Sequence, residues 1–89
     1  MNLSTVFIPP KKLPFRYIGN RVVMVHYKEN RLITLNETAS EIWMRLDGRT
    51  VGELVRDLLP IFDVDETQLA EDTWKLLTVL EERDLLCRV

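Results

Sequence analysis

RVVMVHYKENRLITLNETASEIWMRL, residues 21–46, carries the change of hydrophobic period that decides the fold. Its first part reads as two runs rich in β-branched and aromatic residues, Arg21 to Tyr27 and Arg31 to Leu35, separated by Lys28-Glu29-Asn30. After Asn36 the period lengthens from two to about 3.6, and Ala39, Ile42, Trp43 and Leu46 recur on one helical stripe. Sheet therefore gives way to helix within a few residues. Val23, Val25 and Tyr27 share one face of their strand, and Ile33 and Leu35 share one face of theirs. Alternation alone leaves open which face is buried.

Towards the N-terminus, Phe15 to Ile18 alternates apolar and polar residues and meets Gly19-Asn20, a pair that tolerates the positive φ of a tight hairpin. Three antiparallel strands follow from this. Pro9, Pro10 and Pro14 favour an extended lead-in over a helix, so residues 1–12 read as an arm and residues 13–89 as the domain.

Towards the C-terminus, Asp47-Gly48 ends the first helix. Thr50 and Glu53 have the spacing of a capping box, ahead of a stripe formed by Val51, Leu54, Val55, Leu58, Leu59 and Phe62. Asp65 and Gln68 repeat the start signal, and Leu69, Thr73, Leu76, Leu77 and Leu80 mark a third helix to about Arg83. The order is βββααα. Three amphipathic helices must bury their stripes against one another and one face of the sheet, which predicts an α+β, winged-helix-like domain.

The 89 residues suffice for one core. A formal charge of -2 conceals an asymmetry, because residues 1–35 hold six basic groups against Glu29 alone, and the remainder six against thirteen acidic ones. That distribution suits an acidic peptide or a charged protein surface near the front, and it gives no support for a nucleic-acid track. Cys87 is the only cysteine, which excludes an internal disulfide and a cysteine-rich zinc site and fits a reducing compartment, the cytoplasm. No run approaches the ~20 apolar residues of a membrane span.

Catalysis finds no constellation here. His26 is the single histidine and reads as a strand residue, Cys87 reads as an inert thiol, and Asp63 with Asp65 lacks calcium-loop spacing. Gly19, Gly48 and Gly52 are scattered and build no phosphate loop. No cofactor, no metal and no enzymatic activity are expected. A winged-helix DNA binder is the main alternative, but the third helix would offer Asp65, Glu66, Glu71 and Asp72 to phosphates. A dimerisation module is the other, because an exposed edge strand can pair with its own copy.

From about Leu13 to Leu86 the chain resembles the PqqD-like family. The resemblance rests on Leu35-Asn36-Glu37-Thr38-Ala39, Ile42-Trp43, Leu46-Asp47-Gly48, Thr50-Val51, Glu53-Leu54, Asp72, Leu76-Leu77, Leu80 and Asp84-Leu85-Leu86. No one of these strings is diagnostic; their order and spacing together are fairly specific. Asp84 stands where the family usually has Gly. The resemblance implies a recognition element that captures the leader segment of a ribosomally made precursor peptide and presents it to a modifying enzyme, often a radical S-adenosylmethionine protein. It does not decide between the pyrroloquinoline-quinone precursor and another peptide. It further implies that the leader adds as a strand to the third strand and lies against the third helix.

An exposed strand edge offers unpaired amide and carbonyl groups, so an extended peptide can complete the ladder with no particular side chain. About four backbone hydrogen bonds contribute roughly 2 to 6 kcal/mol before ordering costs, so selectivity has to come from side-chain pockets. The candidate edge is Arg31, Leu32, Ile33, Thr34 and Leu35. A second stripe on the third helix, Ala70, Trp74, Leu77 and Glu81, makes Trp74, Leu77, Thr78 and Glu81 the candidate groove wall. Trp74 fits the core or a dimer contact nearly as well, and Leu77 fits the core better. Helix capping accounts for Asn36 and Thr38.

Overall fold

A computed structural model describes residues 1–26 and 28–89, and shows eight elements. They are β1 (Phe7–Ile8), β2 (Phe15–Ile18), β3 (Arg21–His26), β4 (Arg31–Thr34), α1 (Glu37–Trp43), α2 (Val51–Leu58), α3 (Glu66–Glu82) and β5 (Cys87–Arg88). The expected three-stranded antiparallel sheet followed by three helices is present, as β2-β3-β4 and α1 to α3. Two short strands were not anticipated. β1 and β5 pair antiparallel in a separate ribbon that joins the two ends of the chain.

The β2–β3 hairpin turns through Gly19-Asn20 with Ile18 opposite Arg21, and positive φ is needed only at Gly19, at 63°. β3 resolves the open question of facing. Val22, Met24 and His26 are buried towards the helices, whereas Val23 and Val25 are half-buried on the outer face. Tyr27, expected to share that outer face, lies outside the described residues. Register carries the alternation into β4, where Ile33 sits opposite Met24 and Leu32 opposite Val25.

Each helix starts where a side chain satisfies otherwise unpaired amides. Asn36 Oδ1 accepts from the Ala39 amide at 2.8 Å, so Asn36 is the cap of α1, and Thr38 lies in its first turn. The capping box of α2 is reciprocal: the Thr50 hydroxyl accepts from the Glu53 amide, and Glu53 Oε1 accepts from the Thr50 amide at 2.9 Å. The Thr50 backbone hydrogen bond is the main cause that holds the Glu53 carboxyl below its ordinary value. Asp65 caps α3. Both α1 and α2 end earlier than their apolar stripes, and Leu46, Leu59 and Phe62 continue the packing beyond the helix ends, Leu59 as the C-cap of α2.

One core holds the layers together. Val22, Met24 and Leu35 of the sheet side meet Ile42, Leu54 and Leu77 of the three helices, all buried. Ser40 fastens α1 to the sheet: its hydroxyl accepts from the Val22 amide at 2.8 Å and donates to the Leu35 carbonyl at 3.3 Å. The lead-in arm packs on the body. Phe7 is fully buried, and the Val51 and Gly52 amides donate to the Thr5 and Leu3 carbonyls, each at 2.9 Å.

Candidate functional site

Strand order β2-β3-β4 leaves the far side of β4 without a strand neighbour among the described residues. The Leu35 amide donates to the Val22 carbonyl at 2.9 Å, which fixes the phase of the ladder. Antiparallel alternation then directs the backbone groups of Ile33 and Arg31 to β3, and those of Leu32 and Thr34 outward. Two donors and two acceptors thus face the open side.

Beside that edge runs α3, antiparallel to β4. Near the start of β4, His26 Nε2 lies 2.8 Å from the Arg83 carbonyl, Lys28 Nζ 2.6 Å from Asp84 Oδ2, and Arg83 Nη2 3.7 Å from Glu29 Oε2. The Glu29 amide donates to His26 Nδ1, so the proton sits on Nε2 and donates to the Arg83 carbonyl. The Lys28 hydrogen bond and charge hold the Asp84 carboxyl below its ordinary value. At the far end of β4, Asn36, Thr38 and Ile42 face Asp72, Thr73 and Leu76 across an apolar depression of about 310 Å³. Helical spacing continues the face of Asp72 and Leu76 through the half-exposed Val79 to Arg83, which makes this face the candidate groove wall.

The expected edge residues are brought together, but their side chains divide. Leu32 and Thr34 are exposed on the outer face, while Arg31, Ile33 and Leu35 point to the helical side. Ile33 is half-buried, Leu35 belongs to the core, and Arg31 Nε pairs with Glu29 Oε2 at 2.9 Å.

The structure places the expected wall on α3 apart from the β4 edge. Successive residues advance about 100° around a helix, which sets Trp74, Thr78 and Glu81 opposite the groove face. The Trp74 ring packs edge-on against Phe7 at 5.6 Å, and the Arg88 guanidinium covers it at 5.4 Å while pairing with both Glu81 carboxylate oxygens. The Thr78 hydroxyl donates within its own helix, to the Trp74 and Lys75 carbonyls. Leu77 is fully buried. The β1–β5 ribbon covers the side of α3 that the sequence had offered as the wall. Leu76, Val79 and Arg83 were legible at a spacing of three and four, but nothing in the chain itself told which stripe the arm would take.

Among the described residues no group of His, Cys, Asp and Glu is arranged to hold a metal ion, and no helix is long and apolar enough to cross a membrane.

Residues 21–86 match the family described as Coenzyme PQQ synthesis protein D (PqqD). The chain belongs to the PqqD family. No curated protein matches this PqqD-family chain. Two solved structures share its fold. One, described as TbiB1 in complex with the TbiA(beta) leader peptide, has a TM-score of 0.82 and 24% identity, over 89% of this chain and 93% of that one. The other, a lasso peptide synthetase B1 complexed with the leader peptide, has a TM-score of 0.80 and 23% identity, over 91% of this chain and 96% of that one.

Proposed function

We propose that this PqqD-family chain captures the leader segment of a ribosomally synthesised precursor peptide and presents it to a modifying enzyme, without itself catalysing a reaction. The observation that carries this reading is the open β4 edge, which leads at its far end to an apolar depression between α1 and α3. The leader adds as a fourth strand on the Leu32 and Thr34 backbone groups. Its inward side chains lie against Ile33, Leu76 and Val79 and reach the depression beyond Thr38. Arg31 and Arg83 stand at the mouth for acidic leader residues. Family membership supports peptide recognition, and both structural neighbours hold leader peptides. The family resemblance favours a cytoplasmic radical S-adenosylmethionine enzyme as the recipient.

Isotope-labelled protein titrated with leaders encoded beside it tests the site. Amide shifts are expected along Leu32 to Leu35, at Thr38 and at Leu76 and Val79; shifts confined to α2, or none with any leader, would remove the proposal. Thr34→Pro deletes an outward amide while leaving the β3 ladder intact, so leader binding is expected to vanish with helical content retained. Unchanged affinity would place the site elsewhere.

A further inference from the structure

The sheet has a second face, turned away from the helices, and among the described residues no other element packs over it. Ile18 is 64% exposed and Leu32 69%, and with the half-buried Val23 and Val25 they line an open apolar concavity of about 340 Å³. Register places Arg16 beside Val23 and Arg21 beside Ile18 on this same face. Among its described residues the face thus presents no carboxylate, and Arg16 lines the concavity, while the Arg21 Nε donates to the Leu35 carbonyl at 3.1 Å at the margin. Isolated apolar side chains on a surface are ordinary, but four on adjacent strands around one concavity mark an interaction surface.

We propose that this outer face docks the enzyme that receives the peptide, through an apolar protrusion rimmed by acidic side chains, and does so chiefly when the leader is bound. The inference rests on strand addition at β4. An added strand places every second side chain on the outer face, directly beside Leu32 and Thr34, so loading the chain enlarges the surface. Three short strands present only about 300 Å² on their own, against roughly 800 Å² per partner in a stable interface. The unloaded face is consequently a weak site, and the bound peptide completes it. A second copy of this chain is disfavoured, because face-to-face pairing would oppose Arg16 and Arg21 to like charges without a carboxylate between them. An acidic rim on the partner reverses that sign.

The test uses the full chain, its leader and the modifying enzyme encoded with the precursor. Enzyme affinity is expected to be at least five-fold tighter with leader than without. Ile18→Glu, on the strand farthest from β4, is expected to leave leader affinity within two-fold while weakening enzyme binding to the loaded chain at least ten-fold. Arg16→Glu is expected to weaken it several-fold and to flatten its salt dependence. Wild-type enzyme affinity in both variants would overturn the proposal, as would a parallel loss of leader affinity. A dimer of the unaltered chain that Ile18→Glu converts to monomer would assign the face to self-association instead. Failure of the unaltered chain to bind any leader would sink the strand-addition reading first, and this proposal with it; intact leader binding with indifferent variants would sink the proposal alone.

Discussion

Asp84 stands in left-handed backbone, at φ 61°, directly after α3. The Asp84 amide donates to the Glu81 carbonyl at 3.0 Å and the Leu85 amide to the Leu80 carbonyl at 2.9 Å, with Leu80 and Leu85 both buried. This paired closure of a helix end normally selects glycine, because a Cβ is strained there. Aspartate adds a contact glycine lacks, the Lys28 ion pair, which is more than half exposed on both sides and so contributes little. Asp84→Gly is therefore expected to hold or raise Tm at pH 7, and Asp84→Ala to lower it, both read by thermal unfolding. Asp84→Asn keeps tolerance of the backbone and removes only the charge. The carboxyl's folded-state value is depressed, so the small advantage of the unaltered chain over Asp84→Asn is full above the ordinary carboxylate value and disappears as pH falls through the depressed one. Thr73 offers the opposite case: fully buried, its hydroxyl has no hydrogen-bond partner among the described residues. Thr73→Val keeps the shape, removes the uncompensated group and is expected to stabilise by about 1 kcal/mol in denaturant titration. A loss of stability would mean that the hydroxyl is satisfied in solution.

The proposed function gives α3 two jobs on opposite faces, and a pair of substitutions separates them. Leu76→Ala shortens the groove wall and is expected to weaken leader binding about ten-fold, measured by fluorescence anisotropy. Trp74→Ala is expected to leave that affinity within two-fold while destabilising the fold by about 3 kcal/mol, since the ring packs on Phe7 and under Arg88. The reverse pattern would restore Trp74 to the peptide site. Local signals made most of this architecture readable: Gly19-Asn20 for the hairpin, the Thr50 and Glu53 box for α2, and the shift of period after Asn36 for the junction of sheet and helix. Those signals act within a few residues. The side of α3 that faces the groove is set by contacts between Phe7, Trp74 and Arg88, which bring the two ends of the chain together, and no period in the sequence records such a pairing. The same limit applied to β3, where alternation defined two faces and only packing against Ile42 and Leu54 chose between them.

Joining the ends of the chain is what makes so small a domain close. Phe7 lies wholly inside the core, β1 pairs with β5, and residues 3–5 are stitched to the start of α2. A domain of this size buries only about 60% of its unfolded surface, so a single ribbon supplies a large share of the margin. Phe7→Ala is expected to cost about 3 to 5 kcal/mol, against a total of roughly 5 to 10 for a chain of this length. That corresponds to a fall in Tm of about 15 to 30 °C. The ribbon sits on the side of α3 away from the groove, so the folded fraction of Phe7→Ala is expected to bind leader with unaltered affinity. Binding then feeds back on folding: leader at a hundred times its Kd adds about 2.7 kcal/mol and is expected to recover a large part of the lost Tm. Circular-dichroism melts with and without leader measure both effects. A Phe7→Ala variant that melts like the unaltered chain would show that the arm rides on a body already closed without it. A destabilised variant that leader fails to rescue would show instead that ribbon and groove are one coupled unit, with the arm holding α3 in the place the peptide needs.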